Sequence, residues 1–195
     1  MDFTGRNQKI SLSQVNLKEF LNFYKEYICP YLYNYTLDNN VDISISFEEE
    51  NFTHLIGLHK FKRLKSYSSA KKLNEDILNE KITFKSLYSA SKEFLDKNIE
   101  LKDRLTYFPV LKTLLENTTS VLKYDLNIIW NSKIEFSFLL RSDKIAVLVY
   151  LAVKEIRNGK KICVPVSLLV DRNDRFLKSG LTELKIKSMK IVNKI

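Results

Sequence analysis

The stretch AVLVYLAVKEIRNGKKICVPV, from Ala146 to Val166, decides the fold class. Two runs rich in β-branched and apolar residues flank Asn158-Gly159. Asn-Gly supplies the positive φ angles of a tight two-residue turn whose twist matches that of paired strands. The stretch therefore predicts a β-hairpin, with strands over Ala146–Arg157 and Lys160–Val166. Its neighbours after Thr118 have the same character: SVLKYDLNIIW, IEFSFLLR and TELKIKSMKIV all favour strand.

Before Thr118 the periods change. Residues 13–36 place Val15, Phe20, Leu21, Tyr24 and Ile28 at helical spacing, with Ser11 or Ser13 as cap and Pro30 as a kink or an end. VDISISF (Val41–Phe47) alternates with period two and reads as a strand. Helices are expected over residues 69–80 and 83–97, and after Phe108 in PVLKTLLEN, where Pro109 suits a first turn. The fold class is thus α+β: a helical N-terminal part packed on a C-terminal, mostly antiparallel sheet. We expect one domain over residues 1–195. Its parts are a helical extension (13–40), a first strand with helices (41–118) and the sheet (119–195).

The 195 residues are 45% hydrophobic and 28% charged, enough apolar surface for a sizeable core and too much for a disordered chain. Cys29 and Cys163 follow no metal spacing and sit in apolar runs, which reads as two buried thiols in a reducing compartment. The polar opening MDFTGRNQKISLSQ has no apolar signal core. No apolar run reaches the ~18 residues that span a bilayer. The cytoplasm is the expected location, and no membrane partner is expected.

The formal net charge is +9, and it is lopsided. Residues 132–195 carry 14 Lys and Arg against 6 Asp and Glu, a net of +8, whereas residues 1–131 net only +1. A one-sided basic surface suits a polyanion, and RNA is the expected partner. A Lys-rich soluble surface is the plainer alternative.

Glycine-rich phosphate loops, CxxC pairs and metallopeptidase His-Glu spacing are all absent, so neither a cofactor nor a metal is expected. Both histidines lie in one short segment, ENFTHLIGLHKF (Glu50–Phe61), where a short helix is interrupted or ended by Gly57. Five residues apart on a continuous helix, His54 and His59 would point about 140° from each other. A histidine near an apolar segment and a basic sheet suit metal-independent RNA cleavage. There the substrate's own 2′-hydroxyl attacks phosphorus, and the protein moves protons and stabilises charge.

The stretch ISISFEEENFTHLIGLHKF resembles the opening signature of a phage-associated nuclease-like family of the barnase/EndoU/colicin/RelE fold group. That signature sets Phe-x-His-Leu-x-Gly after a strand, matched by Phe52, His54, Leu55 and Gly57. Residues 136–176 are similar to the family's closing sheet, including a Pro-x-Ser stretch at Pro165, Val166 and Ser167. The resemblance runs from about Val41 to Lys190 and leaves the N-terminal helix outside it. It implies ribonuclease or toxin-like RNA cleavage in a phage or mobile-element setting. Such an enzyme endangers its host, so a partner or inhibitor that masks the basic face is expected, and a non-catalytic relative would bind RNA or a protein of a host defence system. Carried over, His54 is the general acid or base. Gly57 lets the backbone turn beside it, Arg141 binds phosphate, and Ser167 orients a phosphate or the histidine.

The plainer readings stand beside these. His54 would be a core histidine bonded to a carbonyl, Arg141 a turn residue paired with Asp143, and Ser167 a buried hydroxyl satisfied by backbone. His59, Lys60, Lys62 and Arg63 form a basic run that contacts phosphate or is simply solvated. Lys160 and Lys161 edge an RNA groove or serve solubility. Tyr150 reads as core, and Trp130 as packing. The leading expectation is an endoribonuclease or toxin-like effector. The alternative is a non-catalytic binding protein of the same fold, because only one histidine matches the motif and the second acid–base group is unassigned.

Overall fold

The computed structural model describes residues 2–125, 127–128, 135–158 and 160–194, with only the backbone at 157, 158, 160 and 161. Gly159 and Trp130 lie outside the described residues. The strands flanking the turn are as expected, though displaced: β5 covers Val149–Asn158 and β6 covers Lys160–Val170, paired antiparallel from Val149↔Val170 to Asn158↔Lys160. A bulge between Ala152 and Val153 shifts the register next to Pro165, which has no N–H to give the ladder.

The N-terminal reading needs correction. Residues 13–36 are not one helix. Asn16 caps α1 (Leu17–Tyr27) by accepting from the Lys18 and Glu19 amides, and Pro30 ends the helical run. Tyr31–Leu37 is then a strand, β1, with Tyr33, Tyr35 and Leu37 buried on one face. Aromatic and β-branched residues alternating with period two favour a strand as soon as proline blocks the helix. The stretch expected to be a helical extension therefore supplies a strand of the sheet. β1 pairs with β2 (Asp42–Ser46) on one side and with β7 (Glu183–Asn193) on the other.

That double pairing closes the sheet. The order β1-β2-β6-β5-β4-β3-β7 returns to β1 as a seven-stranded barrel, where an open sheet was expected. β3 is Ser120–Lys123 and β4 is Phe138–Arg141. The β2–β6 pair is parallel, so the sheet is not plainly antiparallel. Closure leaves none of the described strands as an edge that could template aggregation.

The helices other than α1 lie between β2 and β3 in sequence: α2 (Asn51–Leu55), α3 (Ala70–Leu78), α4 (Phe84–Ala90), α5 (Lys92–Lys97), α6 (Ile99–Tyr107) and α7 (Leu111–Glu116). The helix expected over 83–97 is two, because Ser91 leaves helical geometry. None of the described helices is long and apolar enough to cross a membrane.

Two apolar clusters flank the sheet. The larger joins α1, α2, α6 and α7 to one sheet face through Phe20, Tyr24, Phe52, Leu101, Leu115 and Leu151, among others. Each such fully buried side chain stabilises the fold by about 1.5–3 kcal/mol. Tyr35 donates its hydroxyl proton to the Leu115 carbonyl at 2.7 Å, tying β1 to α7. The smaller cluster covers the other face of β3–β6, where Phe176 and Leu181 of the β6–β7 connection pack on Leu139, Tyr150 and Leu169.

Candidate functional site

The site is built on the reversal after β2. Asn51 accepts the Glu48 amide at 2.8 Å and starts α2. Phe52 and Leu55 are fully buried in the larger cluster, which turns His54 outward to solvent. Gly57 then takes φ +77°, a left-handed angle that ends the helix. A Cβ here would lie 2.7 Å from Leu101 Cδ1 and 3.4 Å from Arg104 Cδ, so the backbone also needs glycine to approach α6. Leu58 is buried, and the single turn Leu58–Lys60 brings the chain back.

The result corrects the expectation that the histidines diverge. Their rings stack with centroids 4.8 Å apart, tilted by 34°. A divergence of about 140° belongs to a continuous helix, and Gly57 interrupts this one. Burial lowers the His59 pKa to about 4, and His54, Arg104 and Lys60 add to the effect by repelling a proton; the Thr53 backbone opposes it in part. His59 nevertheless keeps solvent on one side.

Two cations stand beside the pair. Lys60 lies 3.6 Å from Glu100, and its pKa is lowered by burial and by Arg104. Arg104, on α6, is 95% buried. Its guanidinium has no ion pair and no hydrogen bond among the described residues. Burial pulls its pKa below the ordinary arginine range, and Glu100 opposes this. Arg104 also lines a cleft of about 180 Å³ between α6 and the end of β6, shared with Glu100, Arg172 and Arg175. A second depression, about 160 Å³ at the strand ends, sets Lys123 against Asp42 and Glu155, an acidic balance that repels a polyanion.

The remaining expected site residues fall in different places. Lys62 and Arg63 are exposed on the next turn and have no ion pair among the described residues, so they continue the basic edge from Lys60. The side chains of Lys160 and Lys161 lie outside the described residues. Arg141 ends β4, across from Tyr150 and Ser120. It donates to Asp143 at 2.7 Å and approaches Glu183 at 3.9 Å, the turn pairing that its plainer reading anticipates. Ser167 is buried across from Ala152, and its hydroxyl finds only the Leu168 carbonyl at 3.5 Å. Residues directly opposite share a face, so Arg141 and Ser167 sit on the face covered by Phe176 and Leu181. The helix that bears His54 packs into the cluster on the other face. The structure thus unites His54, Gly57, His59 and Lys60, and sets Arg141 and Ser167 apart from them.

Sequence reasoning missed Arg104. Its one signal is a charged residue three after Leu101 and one before Leu105, inside an apolar stripe. Among the described residues no group of three His, Cys, Asp or Glu side chains is placed to hold a metal ion.

Stacked histidines flanked by cations bring proton-carrying groups and positive charge together on a mixed α+β barrel. A family model described as phage-Barnase-EndoU-ColicinE5/D-RelE like nuclease 4 matches residues 16–194. The chain belongs to this family. No curated protein and no solved structure matches it.

Proposed function

We propose that this nuclease-like protein is an endoribonuclease that cleaves RNA by attack of the ribose 2′-hydroxyl, with His54 and His59 as its proton-transfer pair. The 4.8 Å ring contact carries the reading, because it supplies the second titrating group that the sequence left unassigned. His59 is unprotonated at neutral pH, the state from which a general base acts, and the lowered pKa reduces its strength as a base. His59 accepts the 2′-hydroxyl proton as the 2′-oxygen bonds to phosphorus. His54 gives a proton to the 5′-oxygen as the P–O5′ bond breaks. The products are a 2′,3′-cyclic phosphate and a 5′-hydroxyl, and neither step takes a nucleophile from the protein. Lys60 supplies positive charge next to the pair. A toxin-like role, with a protein partner that masks the basic edge, fits the same chemistry.

The test is cleavage of total and transfer RNA in EDTA by wild type, His54→Ala and His59→Ala. Cleavage by wild type and its loss in both variants is the expected result. Absence of cleavage by wild type sinks the reading. The placement of Arg141 and Ser167 away from the histidines favours one alternative: a basic RNA-binding protein without turnover. Salt-sensitive RNA binding equal in all three proteins, without cleavage, would establish that alternative.

A further inference from the structure

We propose that the cleft between α6 and the end of β6 is a phosphate subsite, with Arg104 as its buried ligand. It holds the backbone phosphate next to the one cleaved, and in naming that neighbour it rests on the ribonuclease reading. The observation behind it is a buried charge with no partner. A guanidinium removed from water is unfavourable unless an anion or a set of acceptors meets it. Arg104 is 95% buried, its guanidinium nitrogens keep only a thin contact with solvent, and it has neither among the described residues.

The carboxylates of the cleft are already engaged. Asp103 takes both arms of Arg172, with Nη2–Oδ1 at 2.5 Å and Nε–Oδ2 at 3.3 Å. Asp171 accepts the Phe176 amide at 3.0 Å and the Asn173 amide at 3.4 Å. Glu100 faces Lys60. The anion for Arg104 therefore comes from outside the protein. The cleft has about 180 Å³ of room, several times the ~30 Å³ share of one water, so a phosphate group fits.

The rim supports a chain of phosphates rather than a lone ion. Arg175 is exposed, stacks its guanidinium 4.5 Å from the Phe176 ring centroid, and has no carboxylate partner among the described residues. Arg104 in the cleft and Arg175 at its rim suit successive phosphates of one strand, each met by a planar donor fork. Arg104 packs against Gly57, with Cδ 3.4 Å and Nη1 3.8 Å from where a Cβ would stand, so the cleft opens beside the turn that joins the two histidines. A phosphate held there is a near neighbour of the scissile one.

The experiment uses the full chain and a single-stranded 2′-deoxy oligonucleotide, which lacks the attacking hydroxyl and cannot be cleaved by this route. Binding is measured against salt for wild type, Arg104→Met and Arg175→Gln, with melting temperatures. Arg104→Met should weaken binding ten- to a hundredfold, on the scale of roughly 1.5–3 kcal/mol for a charged hydrogen bond. It should flatten the log–log salt dependence by about 0.7. Its melting temperature should rise by about 2–4 °C, because an uncompensated buried charge is gone. Arg175→Gln should weaken binding severalfold without changing the melting temperature. A folded Arg104→Met that binds with unchanged affinity and slope overturns the subsite. So does an Arg104→Met that melts lower or fails to fold, since that arginine would then be structural, and so does unchanged binding by Arg175→Gln. Binding that depends on Arg104, in a wild type that leaves RNA intact, keeps the phosphate site and rejects the nuclease reading. Histidine-dependent cleavage with Arg104-independent binding does the reverse.

Discussion

Two arginines on opposite faces of the sheet make the instructive comparison. Arg141 and Arg104 are both mostly removed from solvent, yet burial has opposite outcomes for them. At Arg141 desolvation works to lower the pKa, but Asp143 and Glu183 outweigh it and the net shift is upward. At Arg104 desolvation wins, because only Glu100 opposes it and no carboxylate is in contact. Arg141 has counter-ions in place, although its Nε is buried without a hydrogen-bond partner. Arg104 has no carboxylate in contact, the condition under which a perturbed charged group is a candidate for function. On the proposal above, Arg104, which the family resemblance does not reach, belongs with the histidines, and Arg141, which it nominates, serves the turn.

Activity gives the largest separation between the two sides. Removing one member of an acid–base pair costs about 10²–10⁴-fold in rate, so His54→Ala and His59→Ala should each lose cleavage on that scale. Arg141→Met should keep its rate within a few fold at temperatures where it is folded. A parallel collapse of Arg141→Met, with an unchanged circular dichroism spectrum, would move the reaction to the other face of the sheet.

Gly57 tests the hinge that makes one region out of two histidines. Gly57→Ala has to hold a left-handed angle and sets its Cβ 2.7 Å from Leu101, so a loss of about 1–3 kcal/mol is expected by urea titration. Because the same residue returns His59 over His54, cleavage below the melting transition should fall further than stability alone explains. A variant with full activity would show that the ring contact is dispensable.

Stability reverses the ranking of the two arginines. Arg141→Met strips Asp143 of its cation, while Glu183 keeps Lys185 at 3.1 Å, and should destabilise by about 1 kcal/mol, the low end for a broken pair, because Asp143 is largely solvated. The comparison fails if Arg141→Met melts above wild type.

What was legible in the sequence follows the range over which each feature is determined. The hairpin strands needed only their own alternation and one dipeptide, and they stand within three or four residues of the expected ends. α3 needed only Ser69, which accepts the Lys72 amide, and its apolar spacing. β1 was misread because its tyrosines continue an aromatic run that begins on α1, so the helical period seemed to pass through Pro30. Barrel closure was out of reach for a different reason. Tyr33 pairs with Ile191 from the far end of the chain, and nothing local in either segment names the other. The site divides in the same way. His54 and Gly57 were found through one short motif. The role of His59 depends on a backbone angle at Gly57, and that of Arg104 on a helix brought against it from 47 residues further along the chain.

The smallest expected effect is the pH dependence that the histidine pair gives to folding. His59 has its ordinary pKa of 6.5 in the unfolded chain and about 4 in the folded one. Between those values the unfolded state takes up a proton that the folded state refuses, so stability falls as pH drops from 6.5 towards 4 and levels off below it. Solvent reaches His59 on one side, which screens the repulsion and keeps the change modest. Urea midpoints at pH 7, 5.5 and 4.5 should drop more for wild type than for His59→Gln, and parallel curves would reject the assignment. The two arginines then sharpen the contrast. Arg104→Met removes one source of the repulsion and should narrow the window, whereas Arg141→Met, on the far face, should leave the histidine-dependent part of the curve where it was.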